Sequence, residues 1–324
     1  MADDANAGAI VMTIDEYLKG TEDSVSDEVV ELYWLLKRAR NSLQLARGGT
    51  GVSWNERLTR GTVSGFAREK KLDVVRKNRV AQARLTNRGY GIGEMLHITD
   101  QWENRTPEAV DNLLSDILEG MSGDLFDTMG TGVYDDGTAL GGLGFQGFDA
   151  ALISSGTYAN LSISTYPKWA SNVSTGAASP YSEFSQDPIP ALDAAINACI
   201  VSTDGGKTRG GPDVGFLPYN KFVVVTQTTL RGVRFPKDTK SLNFGWDDNF
   251  TYRGVTFYPS KYTPTDYMYL LNSKYIKLRM ASPKFVNEFN FKEGVPLARY
   301  ILMIVYGLLQ VKQPRTCGRF QLDQ

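Results

Sequence analysis

Few residues in this 324-residue chain could carry covalent or acid–base chemistry. There is one histidine, His97, and there are two cysteines, Cys199 and Cys317. Any Ser-His-Asp or Cys-His device must use that one imidazole, and a site with two or three histidine ligands cannot be built. Two cysteines exclude a disulfide framework and a four-cysteine zinc site. Both thiols read as small buried hydrophobes. No activated nucleophile, metal set or cofactor loop accompanies His97, which reads as structural.

The densest carboxylates, Asp111, Asp116, Glu119, Asp124 and Asp127, have no His or Arg among them. They therefore read as a solvated or partner-facing surface, with no catalytic or metal role. Gly141, Gly142 and Gly144 lack the Gly-Lys-Ser/Thr and the strand-to-helix switch of a phosphate loop. Asp135-Asp136-Gly137 lacks the further ligands of a calcium loop and reads as a turn. The expectation is a chain that is not an enzyme and takes no cofactor and no metal.

The elements that must position these residues follow from composition. At 42% hydrophobic and 22% charged residues the chain can bury a sizeable core, and its length suggests about two domains. Formal net charge is −1, but the signs are segregated. Residues 1–36 carry net −8, residues 37–88 net +11 and residues 100–149 net −10. Neighbouring blocks of opposite sign suggest surfaces that meet, within one chain or between copies. The N-terminal stretch lacks the basic and apolar regions of a signal peptide. The most apolar run, Tyr300–Leu309, is roughly half the length of a membrane-spanning helix. It reads as a doubly buried strand of a soluble protein made in a reducing compartment.

After an acidic arm, Ser26 reads as an N-cap. Val29, Leu32, Tyr33, Leu36 and Leu43 follow helical spacing up to Gly48-Gly49, predicting an amphipathic docking helix over 26–47. Residues 49–100 are rich in Gly, Ser, Thr and weakly alternating β-branched residues. They predict a long two-stranded ribbon, which needs something to lie on because an isolated hairpin is marginal. Thr106 and Pro107 then open a helix, predicted over 106–129 and about 36 Å long. Its apolar stripe is Val110, Leu113, Leu114, Ile117, Leu118, Met121, Leu125 and Met129, and Gly130 is the predicted stop. Further on, residues 189–201 predict a short helix, and 214–229, 251–260, 267–280 and 298–311 read as strand-rich. Strands and helices do not alternate regularly, so the class is α+β.

The order of these parts resembles the major capsid protein of tailed bacteriophages, the Hong Kong 97-type fold. Trp54-Asn55-Glu56-Arg57-Leu58 resembles the opening of that family's extended loop. Gly130 to Thr138, with Gly141-Gly142-Leu143, resembles its glycine-rich exit from the spine helix. Tyr269 to Tyr275 resembles the strand before its C-terminal return. The resemblance implies an N-terminal arm over 1–48 and an extended β-hairpin loop over 49–99. A peripheral domain follows over 100–149, with spine helix 106–129, and then an axial domain over 150–266. Residues 267–324 supply the return strand of the peripheral domain and the C-terminal part of the axial domain.

The implied function is self-assembly into hexamers and pentamers of an icosahedral shell around double-stranded DNA. The implied place is the virion, assembled in the cytoplasm of a bacterial host. Portal, scaffold and decoration proteins are further implied partners; a membrane is not. Lys70 and Lys71 lie in the loop region, but a lysine–asparagine cross-link is not expected. Candidate intersubunit contacts are a basic ribbon (Arg57, Arg60, Arg68, Lys70, Lys71, Arg76, Lys77, Arg79) crossing an adjacent subunit's acidic helix (Asp111, Asp116, Glu119, Asp124, Asp127). One alternative is an encapsulin-type compartment of the same architecture. Another is a nucleic-acid-binding protein using the basic 37–88 block, although Phe66 is the lone aromatic residue between 57 and 88.

Overall fold

The computed structural model describes residues 50–59, 79–97, 107–202, 209–232, 249–280, 287–291 and 298–323. In chain order these form strands β1 (Gly51–Arg57), β2 (Val80–Thr86) and β3 (Arg88–His97), then helix α1 (Pro107–Val133) and the short α2 (Phe148–Ala151). Strands β4 (Thr157–Tyr158), β5 (Leu161–Ser162) and β6 (Asn172–Ser174) precede helix α3 (Pro188–Cys199). After β7 (Val201–Ser202), β8 (Arg209–Gly210) and β9 (Val214–Pro218) comes helix α4 (Tyr219–Gly232). The last strands are β10 (Phe250–Tyr252), β11 (Val255–Ser260), β12 (Tyr267–Leu271), β13 (Ile276–Met280), β14 (Asn287–Phe291), β15 (Ala298–Val311) and β16 (Gly318–Gln321). The mixture of helices with mainly antiparallel sheets is the α+β class expected. The predicted arm helix over 26–47 lies outside the described residues.

The described residues fall into two compact units. One contains Asn87–Gly147 and Lys277–Leu309. In it α1 buries Leu118, Met121, Leu125, Phe126, Met129 and Val133, a stripe at three- and four-residue steps. Burying each such large side chain contributes about 1.5–3 kcal/mol. Strand β15 pairs antiparallel with β14 and with β3 and also pairs with β13. Gly130, the predicted stop, is instead buried inside the helix, which runs on to Val133. The last turn then tightens, with the Tyr134 and Asp135 amides donating to the carbonyls of Thr131 and Gly132. Gly132 is needed there: a Cβ on it would lie 2.0 Å from the Tyr90 hydroxyl oxygen.

The other unit contains Arg47–Thr86, Phe148–Ile276 and Gln310–Gln324. Its centre is a six-stranded mixed sheet in the order β10-β11-β9-β12-β16-β6. Leu217, Phe257, Met268, Leu270 and Phe320 from the sheet pack with Leu192, Ile196 and Cys199 of α3 and Phe222 and Val225 of α4. Helix α3 begins where Asp187 accepts a hydrogen bond from the Ile189 amide at 3.2 Å, an N-cap followed by Pro188 at the first position.

Two elements depart from the sequence reading. Residues 214–229 read as strand-rich, yet the strand stops at Pro218 and α4 begins at Tyr219. Val223, Val224 and Val225 favour strands locally, but a helix here buries Phe222 and Val225 in the core, and that tertiary gain overrides propensity. The threonines adapt by turning back on the helix: Thr226 Oγ1 donates to the Phe222 carbonyl at 2.6 Å and Thr228 Oγ1 to that of Val224 at 2.9 Å. The second departure is in the ribbon. Its return strand ends at Thr86, and Arg88–His97 pairs with β15 over ten residues instead of continuing the ribbon. Gly89, Gly91 and Gly93 stand opposite Tyr306, Ile304 and Leu302, so bare backbone meets large side chains across the pair.

Candidate assembly surfaces

The ribbon root is β1 paired antiparallel with β2, from Gly51 opposite Thr86 to Arg57 opposite Val80. Strand periodicity puts Val52, Trp54 and Glu56 on one face with their partners Leu85, Ala83 and Ala81. Those three partners are buried, while Gln82, Arg84 and Thr86 on the opposite face are exposed. The root therefore lies on its own unit by one face. Burial raises the carboxyl pKa of Glu56 above its ordinary value, with Lys312 and Arg315 acting in the opposite direction.

Of the predicted basic contacts, Arg57 and Arg79 are described, and both are exposed at the far end of the root. Arg60, Arg68, Lys70, Lys71, Arg76 and Lys77 lie outside the described residues. Among the predicted acidic contacts, Asp116, Glu119, Asp124 and Asp127 are exposed on α1. Asp111 is in the same helix, its side chain outside the described residues. Gly120 and Gly123 fall between the four exposed carboxylates at helical spacing, and a Cβ on either would meet nothing within 4 Å. That helix face is therefore acidic and smooth.

The turn after α1 is built from its own side chains. Asp135 Oδ2 accepts from the Gly137 and Ala139 amides at 2.8 and 3.1 Å. Asp136 Oδ1 accepts from the amide and hydroxyl of Thr138 at 2.9 and 2.6 Å, which holds its carboxyl below the usual range. Asp135-Asp136-Gly137 is thus a turn, as read from sequence. Arg88 Nη1 fastens it by donating to the Gly137 carbonyl at 2.8 Å. Leu140 is held there at φ 53°, and it and Leu143 are 56% and 70% exposed. Arg88, in the middle of a basic block, carried no sequence signal for this role, since its partners are backbone carbonyls 49 and 56 residues away.

Cys199 and Cys317 are free and buried, as expected, and burial pushes the Cys317 thiol up to about 11. His97 ends β3 opposite Ala298. Among the described residues no three His, Cys, Asp or Glu side chains form a group able to hold a metal, and no helix is long and apolar enough to cross a membrane. What the described surfaces offer is a basic ribbon root and an acidic helix face, chemistry suited to recognition between macromolecules.

No protein-family model matches the chain, and no curated protein matches it by sequence. Solved structures match it over most of its length. A chain of the cyanophage A-1(L) capsid aligns with a TM-score of 0.65 at 15% identity, covering 87% of this chain and 91% of that one. The capsid of a native GTA particle aligns at 0.57 with 8% identity, covering 89% and 90%. A chain from Mycobacterium phage Bobi aligns at 0.54 with 10% identity, again covering 89% and 90%. Alignments that include nine-tenths of each chain leave little of either fold unmatched, and the chain has the α+β fold of tailed-phage major capsid proteins.

Proposed function

We propose that this chain is a major capsid protein whose copies assemble, as hexamers and pentamers, into the icosahedral shell of a phage head around double-stranded DNA. The observation that carries this reading is that alignments to capsid chains of a cyanophage and of a GTA particle cover close to nine-tenths of this chain and of theirs. In this reading the peripheral domain comprises 100–149 and part of 267–324, joined by Arg88–His97 through its pairing with β15. The axial domain is 150–266, and of the loop expected over 49–99 only the part before Thr86 reaches a neighbouring subunit. The shell belongs to the virion and forms in the host cytoplasm. Portal, scaffold and decoration proteins are its further partners.

A closed shell needs subunits that overlap, because compact bodies touching edge to edge bury little surface. The basic ribbon residues Arg57, Arg60, Arg68, Lys70, Lys71, Arg76, Lys77 and Arg79 supply one sign. The helix residues Asp111, Asp116, Glu119, Asp124 and Asp127 of the next copy supply the other. Gly120 and Gly123 leave room for a backbone to approach between those carboxylates. Each exposed ion pair contributes about 0–1 kcal/mol, so the charges set register and partner choice while apolar burial supplies affinity.

Electron microscopy of the purified recombinant protein, and of particles recovered from lysates, tests this reading. Shells of uniform size, packed with DNA when recovered from infected cells, are expected. A protein that stays monomeric under all crowding and ionic conditions overturns it, and shells holding enzyme cargo and no genome would make it a compartment protein instead.

A further inference from the structure

The ribbon root is held by its own unit at more than one point. On the β2 side the Arg84 amide, which points away from β1, donates to the Ala159 carbonyl at 2.9 Å. Ala159 and Asn160 form the two-residue turn between β4 and β5, with Thr157 opposite Ser162 and Tyr158 opposite Leu161. Both turn residues are left-handed, at φ 51° and 62°. Glycine usually fills at least one such place, because a Cβ disfavours that region. Ala159 is buried, and its carbonyl is the one that meets the ribbon.

The turn stands on a rigid base. Trp169 Nε1 donates to the Tyr158 carbonyl at 3.1 Å, and the two rings stack with centroids 5.9 Å apart. The Val311 amide donates to the Tyr158 hydroxyl at 3.1 Å, and the Ile163 amide closes the hairpin onto the Gly156 carbonyl at 3.0 Å. On the β1 side Glu56 experiences the charges of Lys312 and Arg315, in the segment just after Val311. The β2 strand of the root is therefore hydrogen-bonded to a hairpin that Trp169 and Val311 brace in turn.

We propose that the Thr157–Ser162 hairpin is a bracket that sets the angle of the ribbon, and through it the curvature at which copies join; this rests on the capsid reading above. The leverage is geometric. Nine residues of extended strand, at ~3.3 Å each, already make a lever of about 30 Å. A tilt of about 10° at the root would move its tip by about one strand spacing, ~5 Å, enough to change which residues of a neighbour it meets. Curvature is thus written into each subunit before it meets another.

The test compares particles of wild-type protein, Arg84→Ala and Arg84→Pro by electron microscopy. Arg84→Ala removes the exposed side chain and keeps the amide. Arg84→Pro removes the amide that reaches Ala159 and no β1 bond, because proline is tolerated where the N–H faces out of a strand pair. Wild-type and Arg84→Ala shells of one diameter, with Arg84→Pro giving mixed diameters or open sheets from folded subunits, support the bracket. Arg84→Pro shells of the wild-type diameter overturn it, as does Arg84→Ala failing in the same way as Arg84→Pro.

Should Arg84→Pro not fold, Trp169→Phe decides, since it keeps the stacked ring and removes the indole donor. Faster hydrogen exchange at the Arg84 amide, by up to about tenfold for one lost hydrogen bond, together with a broadened diameter supports the bracket. A single wild-type diameter overturns it. Wild-type protein that forms no shell overturns the capsid reading and this inference with it, an outcome separable from failure of the variants alone.

Discussion

The hydroxyl of Tyr90 stands so close to Gly132 that a Cβ there would lie 2.0 Å from the oxygen. The same hydroxyl accepts a hydrogen bond from the Phe145 amide at 3.0 Å, and the Tyr90 and Phe145 rings meet edge to face at 4.9 Å. One residue of β3 therefore couples the last turn of α1 to the glycine-rich stretch after it. The contact explains why Gly132 has no side chain.

Gly132→Ala should destabilise the subunit by about 1–3 kcal/mol through overpacking, read as a lower urea midpoint. Tyr90→Phe in the same chain should recover part of the loss by removing the clashing oxygen. The recovery is incomplete because the buried Phe145 amide then has no acceptor, which costs about 1–3 kcal/mol. A Gly132→Ala subunit as stable as wild type would refute the contact.

Glu56 predicts a pH dependence of definite sign. Its pKa is raised, chiefly by burial, above the ordinary 4.5, so the folded state holds the proton more tightly than the unfolded chain. Its contribution to stability therefore falls as pH rises from about that value through the folded pKa. Glu56→Gln should be more stable than wild type at neutral pH, with the difference shrinking below pH 4.5. Denaturant midpoints measured across that range check it, and a gap that widens in acid would contradict the burial of this carboxyl.

Gly120 and Gly123 separate subunit stability from assembly. A Cβ on either meets nothing within 4 Å, so alanine at both should stabilise the isolated subunit by about 1–2 kcal/mol through helix propensity. Tryptophan at both should leave the subunit folded and prevent shell formation by filling the face a neighbour's ribbon is proposed to cover. Normal shells from the double tryptophan variant would move the ribbon contact elsewhere.

Charge reversal tests the electrostatic part. Replacing four or more of Arg57, Arg60, Arg68, Lys70, Lys71, Arg76, Lys77 and Arg79 by Glu should stop particle formation while leaving folded, soluble subunits. Wild-type assembly yield should also depend on ionic strength, since exposed pairs are screened within about 10 Å at 0.1 M salt. Light scattering follows both, and intact shells from the reversed variant would remove the electrostatic claim.

Legibility differed by element. Helix α1 was readable because Leu118, Met121, Leu125 and Met129 repeat at helical steps and Pro107 marks the start. Strand β15 was readable because its apolar run is continuous. The β1–β2 ribbon was readable, but not its end at Thr86, because glycines at 89, 91 and 93 look like ribbon residues until β15 is beside them. Helix α4 was hidden by its valines and threonines. Among the candidate assembly residues, charge blocks pointed to Arg57, Arg79 and the α1 carboxylates, whereas the holds through Arg84, Ala159, Arg88 and Tyr90 use backbone groups that composition does not register.

The amino-acid order alone determined the class, the long helix α1, the long strand β15 and the alternation of charge, because each depends on spacing between near neighbours. Where Arg88–His97 pairs, whether 219–232 coils or extends, and what holds the ribbon root were decided only in three dimensions. In those places local preference was weak or opposed, and the burial of side chains brought together from distant parts of the sequence outweighed it.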